Sequence, residues 1–191
     1  MTIHNFDFST KQIFWGNILL IICCAFYLAW WLLAFKPNGA VTGMKTGWLL
    51  IPAFAAGLAA VIMTTRGISS ASVDMTLFPS GLLLWGGIAV YFILLVVTHV
   101  IFKRPLTTEL VLIVGWAVLA LSEINALYGS GRFAHQPAII FVAVIVIATL
   151  ISLVCYVLYY NLGDVAGYFD GMVPLLMAAL VMAGISVAMA I

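Results

Sequence analysis

The chain has 191 residues, of which 66% are hydrophobic and 7% charged, and a net charge of +1. Its mean hydropathy is +1.27. A soluble globular domain carries roughly 25% charged residues, so seven Lys/Arg and six Asp/Glu are too few to clothe a water-facing surface here. One integral membrane domain over residues 1–191 is expected, with the lipid bilayer as its solvent and no basic field for nucleic acid.

Residues 1–12 carry Asp7 and Lys11 ahead of the first apolar run and lack the basic region and small-residue cleavage site of a signal peptide. The first span is therefore expected to stay in the mature protein. A span takes about 20 apolar residues, and six segments qualify: 13–35, 47–64, 80–102, 109–128, 137–160 and 172–191. They predict an all-α, polytopic, six-transmembrane-helix bundle with both termini on one face, here called A. Lys36-Pro-Asn-Gly39, Lys103-Arg-Pro105 and Gly129-Ser-Gly-Arg132 break the pattern with turn formers beside charge. Residues 65–79 form the longest polar stretch. Face B would hold Lys36, Lys45, Lys103 and Arg104, and face A Lys11, Arg66 and Arg132. Four cations against three leave the orientation open under the positive-inside rule. A plasma or inner membrane is the expected setting.

A shift of 92 residues aligns Leu20, Ile21, Ala25, Ala34 and Gly39 with identical residues of the second half, and a shift of 91 aligns Phe78, Leu84, Val90 and Val96. Such coincidences suggest a 3+3 inverted repeat, an organisation that in transporters puts the site near the midplane between the halves. Small residues predict helix packing faces: Ala53, Ala56, Gly57 and Ala60 in the second span, and Gly86, Gly87 and Ala89 in the third. Those two spans are expected to lie centrally in the bundle. Pro52 and Pro174 could kink their helices, although Pro174 falls where a first-turn proline is expected.

The polar residues within the spans carry the functional argument. Glu123 is the one ionisable residue placed well inside a span, roughly 7 Å from its middle at 1.5 Å per residue. An intramembrane charge is expensive, about 2.5–3.5 kcal/mol at a helix centre on insertion scales. It is accordingly read as a proton- or solute-binding group, or as half of an interhelical hydrogen bond. Asn125 and Ser122 on its own helix, Asn17 on the first span and Arg132 from the adjacent loop are its candidate partners. Asn17, Cys24, Tyr27 and Trp31 share one face of the first span; Thr149, Ser152, Tyr156 and Tyr159 share one face of the fifth. Tyr91 and Thr98 stand seven apart on the third. Converging, these stripes would line a hydroxyl- and aromatic-rich path with one acid in it. Alternatively, the hydroxyls bond across helices or to their own backbone.

Other chemistry is not indicated. Cys23, Cys24 and Cys155 lie in apolar runs without metal-ligand spacing and read as small core residues. His99 and His135 fall near opposite faces and His4 in the N-terminal segment, which disfavours a bis-histidine haem site. No deep histidine accompanies Ser122 or Ser152 for a serine protease, and Glu123 has no second acid or histidine for a metalloenzyme. Asp164 and Asp170 fall in a glycine-rich acidic stretch, residues 161–171, read as a solvated turn. No catalytic residue, metal or cofactor is expected. Size and span number resemble the small six-span channels for urea, amides and acetate and the substrate-binding subunits of vitamin importers. The likeness is architectural only; the Asn-Pro-Ala-Pro-Leu-Gly opening of the acetate group does not occur here.

The expectation is thus a transporter or channel for a small neutral or protonatable solute, with Glu123, Asn125, Ser122, Asn17, Tyr27, Tyr91, Thr149, Ser152 and Tyr156 along the path. The alternative is a non-catalytic subunit packing against partner helices. A second copy or partner membrane subunits are expected in either case.

Overall fold

In the computed structural model, the structure describes residues 6–35, 46–71, 75–79, 81–101, 103 and 108–191. The Lys36–Gly39 turn, Lys45, Arg104 and Pro105 lie outside the described residues, and with them three of the four face-B cations. The described residues form seven α-helices: α1 Phe8–Ala34, α2 Leu50–Ser70, α3 Leu82–Val100, α4 Thr108–Gly129, α5 His135–Leu158, the short α6 Asp164–Asp170, and α7 Val173–Ala190. Six are long and apolar enough to cross a membrane, α6 and α7 together making the sixth span. The protein is a multi-pass, all-α membrane bundle.

Several elements start or stop away from the expected residues, each for a local reason. Helix α1 begins five residues early because Asp7 caps it, its carboxylate accepting the Thr10 N–H at 3.3 Å. At 27 residues it is about 40 Å long, more than the roughly 30 Å of a hydrocarbon core. Helix α2 runs to Ser70, past the expected 64, because its last turns are held against α1. Ser9 Oγ donates to the Gly67 carbonyl at 2.7 Å. Pro52 falls in the first turn of α2, after a 3₁₀ turn at Gly47–Leu49, where a missing N–H costs nothing. Pro174 likewise sits at the start of α7. The stretch 161–171 is not simply a turn: Asp164–Asp170 forms α6, with an acid in its first turn where the helix dipole favours it.

The tightest packing joins α1 to α2. Ala53, Gly57, Ala60, Thr64 and Gly67 recur at intervals of four and three along one face of α2. A Cβ on Gly16 would collide with Thr64 Oγ1 and stand 3.2 Å from the Ala60 carbonyl oxygen. The small residues of α2 do form a packing face, but neither α2 nor α3 is central. That position belongs to α4, which touches α2, α3, α5 and α7 and has the largest buried share of any span. Helix α3 is peripheral. Its one buried residue is Thr98, and its close approach is Gly87 against Val118 of α4, while Gly86 faces open space.

The two halves pair alike in part, α1 with α2 and α7, α4 with α5 and α3. The packing of α5 on α7 has no comparable counterpart between α2 and α3 among the described residues. The packing thus does not show an inverted repeat.

Along its axis the bundle is unequal. Its face-A half is solid, built from Ile13 and Phe14 of α1, Ala120, Ile124 and Leu127 of α4, Ile145 of α5, and Met182, Ile185 and Met189 of α7. Arg132 closes that end. Its guanidinium lies 4.6 Å from the Phe6 ring centre and donates to the Met189 carbonyl. The face-B half holds the small cluster of Leu110, Ile113, Val114 and Tyr156 and, beside it, a cavity.

Candidate functional site: a one-sided cavity above a buried acid–amide pair

The deepest polar contact ties α1 to α4. Asn17 Nδ2 donates to Glu123 Oε1 at 2.5 Å, and both side chains are buried, Glu123 completely. Glu123 Oε2 has no hydrogen-bond partner among the described residues. Of the four expected partners, Asn17 is the one the geometry selects. The Asn125 side chain turns to the connection before α3, where its Oδ1 accepts the backbone N–H groups of Leu77 at 2.8 Å and Phe78 at 3.1 Å. Arg132 is engaged at the end of α7. Ser122 is half-buried beside the pair on its own helix. Chemically, a carboxyl with one oxygen held and the other bare can accept a proton on Oε2 without surrendering the Asn17 bond.

A cavity of about 230 Å³ opens in the other half. It is bounded by the face-B halves of α1, α4 and α5 together with Asp170, Gly171 and the first turns of α7. Its lining ends at the level of Leu20, Trp116, Ser152 and Ala178. Below that floor, three residues along α1 from Leu20 or about 4.5 Å of helix rise, lies Asn17. Glu123 itself is not part of the lining.

The two polar stripes read from the sequence converge on this cavity. Cys24, Tyr27 and Trp31 of α1 face Ser152, Tyr156 and Tyr159 across it. Thr149 does not join them; its hydroxyl bonds back to the Ile145 carbonyl at 2.7 Å. Ser152 lines the cavity while also back-bonding, to Ala148 O at 2.8 Å. Tyr91 packs outside the cavity against the cluster of Leu110, Ile113, Val114 and Tyr156, and Thr98 back-bonds to Leu94 O at 2.7 Å. Tyr27, Ser152 and Tyr156 thus belong to the cavity wall, Asn17 and Glu123 to the plug beneath it, and Asn125, Tyr91 and Thr149 to packing.

Four features of the wall were not expected. Glu109 and Asp170 both line it, and so do all three cysteines. Glu109 lies fourteen residues before Glu123, close to four helical turns, so one α4 face joins them through Ile113, Trp116 and Ala120. That spacing was readable; the location of Glu109 at a span end disguised it. The third feature, the rim, is built by Trp31. Its ring stacks on Phe35 at 4.4 Å, its Nε1 donates to the Tyr168 carbonyl at 3.0 Å, and it leaves no room for a Cβ on Gly171. Helix α6 is thereby fastened to the end of α1. The fourth is Trp116, whose indole Nε1 is buried without a partner among the described residues.

Compared with protein-family models, curated proteins and solved structures, the chain matches none. Fold and site define a six-span membrane bundle with a cavity of about 230 Å³ on one side and an acid–amide pair beneath its floor.

Proposed function

We propose that the protein is a carrier for a small neutral or protonatable solute, working in a plasma or inner membrane. The observation that supports this reading best is the pairing of a cavity-bearing half with a sealed half across one buried carboxyl. A carrier caught open to one side has this form: a binding cavity ending at a packed barrier. An open channel would need the polar lining to continue through the face-A core. The wall of the cavity is largely apolar and aromatic, with a few hydroxyls and the carboxyls of Glu109 and Asp170, which suits an amphipathic solute. Passage would require α1 and α4 to separate at Asn17–Glu123, and a carboxyl at that joint could couple the separation to protonation.

The test is counterflow in proteoliposomes with a panel of small radiolabelled amines, amides and alcohols at several pH values. Glu123→Gln preserves an acceptor for Asn17 and removes the titrating group. The expected result is flux whose pH dependence disappears in Glu123→Gln while the melting temperature holds. If no solute in the panel exchanges, or if the variant loses melting temperature and leaves flux and its pH profile untouched, the carrier reading or its proton coupling is wrong.

A subunit role draws on one observation. Helix α3 is apolar, peripheral, and carries Gly86 with nothing within 4 Å of a Cβ there, a notch of the kind partner helices use. Co-purification of a stoichiometric second polypeptide, or a defined homo-oligomer lost in Gly86→Leu, would favour that reading.

A further inference from the structure

The cavity is walled mainly by α1, α4, α5 and α7, and three of the seams between them are closed. Helix α1 packs on α7, α7 on α5, and α5 on α4. The fourth seam differs. Helices α1 and α4 meet below the floor, through Asn17–Glu123 and the face-A core; among the described residues no comparable packing joins them above it. Helix α2, a neighbour of both, contributes no residue to the lining. One face of α4 is correspondingly bare. Leu112 lines the cavity and is nonetheless 61% exposed, and Val111 beside it is 48% exposed. Gly115, one turn deeper, is also exposed, with nothing within 4 Å of a Cβ there.

This bare face lies within the span that begins at Glu109. Leu112 stands about 4.5 Å of helix rise beyond Glu109, and Trp116 about 10 Å. At that depth an opening in the side of a bundle meets lipid chains rather than water. The deeper wall suits the same material. Leu20, Trp116, Leu175 and Ala178 are apolar, and the Ser152 hydroxyl is committed to the Ala148 carbonyl. Water held in a cavity needs two to four polar partners and finds few at this level; a hydrocarbon chain needs none.

We propose that the cavity opens sideways into the bilayer between α1 and α4, and that it takes the hydrocarbon chain of a membrane amphiphile, which enters past Leu112. The inference rests on the reading of the cavity as a solute site and names the solute as one that arrives from the membrane. Such a chain is carried both by phospholipids and by single-chain amphiphiles, and the chemistry recognised is the same.

The experiment uses the full-length chain in nanodiscs and two photoreactive probes. One is a phosphatidylcholine with a diazirine in mid-chain, the other a long-chain alcohol carrying the same group. Adducts are located by peptide mass spectrometry. Cys24, Ser152 and Tyr156 line the cavity and are buried, so a chain marks them only from inside. Phe92 and Ile147, on the exposed faces of α3 and α5, report ordinary contact with lipid. Adducts are expected at the inner residues as well as the outer ones. Leu112→Trp, a change at an exposed position that narrows the opening, should remove most of the inner adducts and leave the outer ones. Inner adducts from the phospholipid assign the chain to a lipid; inner adducts from the alcohol alone assign it to a single-chain amphiphile.

The proposal is overturned if both probes mark only outer residues of the wild type, a result that needs no variant to fold. It is also overturned if Leu112→Trp, at unchanged melting temperature, leaves the inner adducts undiminished. Chains that enter while no solute exchanges in the counterflow assay would refute the carrier and leave this site standing. Exchange of a water-soluble solute by a protein whose inner residues are never marked would do the reverse.

Discussion

Replacing Asn17 with leucine keeps the size of the side chain and removes the one hydrogen-bond donor to Glu123 among the described residues. Oε1, 2.5 Å from Asn17 Nδ2, would then join Oε2 as a buried oxygen without a partner. An acceptor left unsatisfied in this way costs about 1–3 kcal/mol. Interhelical hydrogen bonds between membrane spans average nearer 0.6 and reach about 1.7 kcal/mol in coupling experiments. Complete burial of a carboxyl argues for the upper part of that range, so a loss of about 1–2 kcal/mol is expected. For a chain of this length each kcal/mol corresponds to about 2–4 °C of melting temperature, and Asn17→Leu should fall by about 2–8 °C. Glu123→Met in the same background supplies the decisive comparison. With both polar groups gone nothing is left unsatisfied, and Asn17→Leu/Glu123→Met should melt close to wild type. The assay is thermal unfolding in a mild detergent followed by intrinsic tryptophan fluorescence. If Asn17→Leu melts with wild type, or if the double variant falls by the sum of the two single ones, the pair contributes no coupling and the reasoning fails.

Gly16→Ala should lower the melting temperature through overpacking of about 1–3 kcal/mol, because its Cβ would strike Thr64. Gly86→Ala, with open space around it, should be neutral or raise stability by up to about 1 kcal/mol through helix propensity. Reversal of that order in the same melting assay would mean that α1 and α2 are not in close contact at Gly16. Asn125→Ala removes the acceptor for two backbone N–H groups and should speed amide hydrogen exchange at Leu77 and Phe78, leaving exchange in α5 unchanged. A membrane-impermeant methanethiosulfonate should modify the cavity cysteines from the face-B side of oriented vesicles and not from the face-A side; equal labelling from both sides would contradict the sealed floor.

The helices were legible because hydropathy alone delimits a span, and the buried pair was half legible because Glu123 had so few neighbours of its own depth. Spacing also showed that Cys24, Tyr27 and Trp31 share a face, as do Ser152, Tyr156 and Tyr159. What spacing does not contain is the rotation of one helix against another. Asn125 was as plausible a partner for Glu123 as Asn17. Its amide instead answers the unpaired backbone donors of Leu77 and Phe78, an obligation visible only once the chain before α3 folds back on α4. Thr149 and Thr98 illustrate the same limit, since a helical hydroxyl looks identical in sequence whether it faces a cavity or bonds to its own backbone. Glu109 and Asp170 were hidden by position: acids at span ends are ordinary, and only the folding of α6 against Trp31 brings Asp170 to the same cavity as Glu109.

The order of the pair along the chain has a consequence for biosynthesis. Spans leave the ribosome in sequence, so α1 and α2 meet first, and their small-residue seam needs nothing from later segments. Helix α3, with a mean hydropathy of 2.2 and one buried residue, can reside in lipid alone. Helix α4 is the span that arrives with an acid in it. By then Asn17 already stands in the bilayer on a completed hairpin, and Glu123 enters hydrocarbon with its hydrogen-bond donor in place. Had the two residues exchanged helices, the carboxyl would have waited in the membrane through the insertion of two further spans with no partner to receive it.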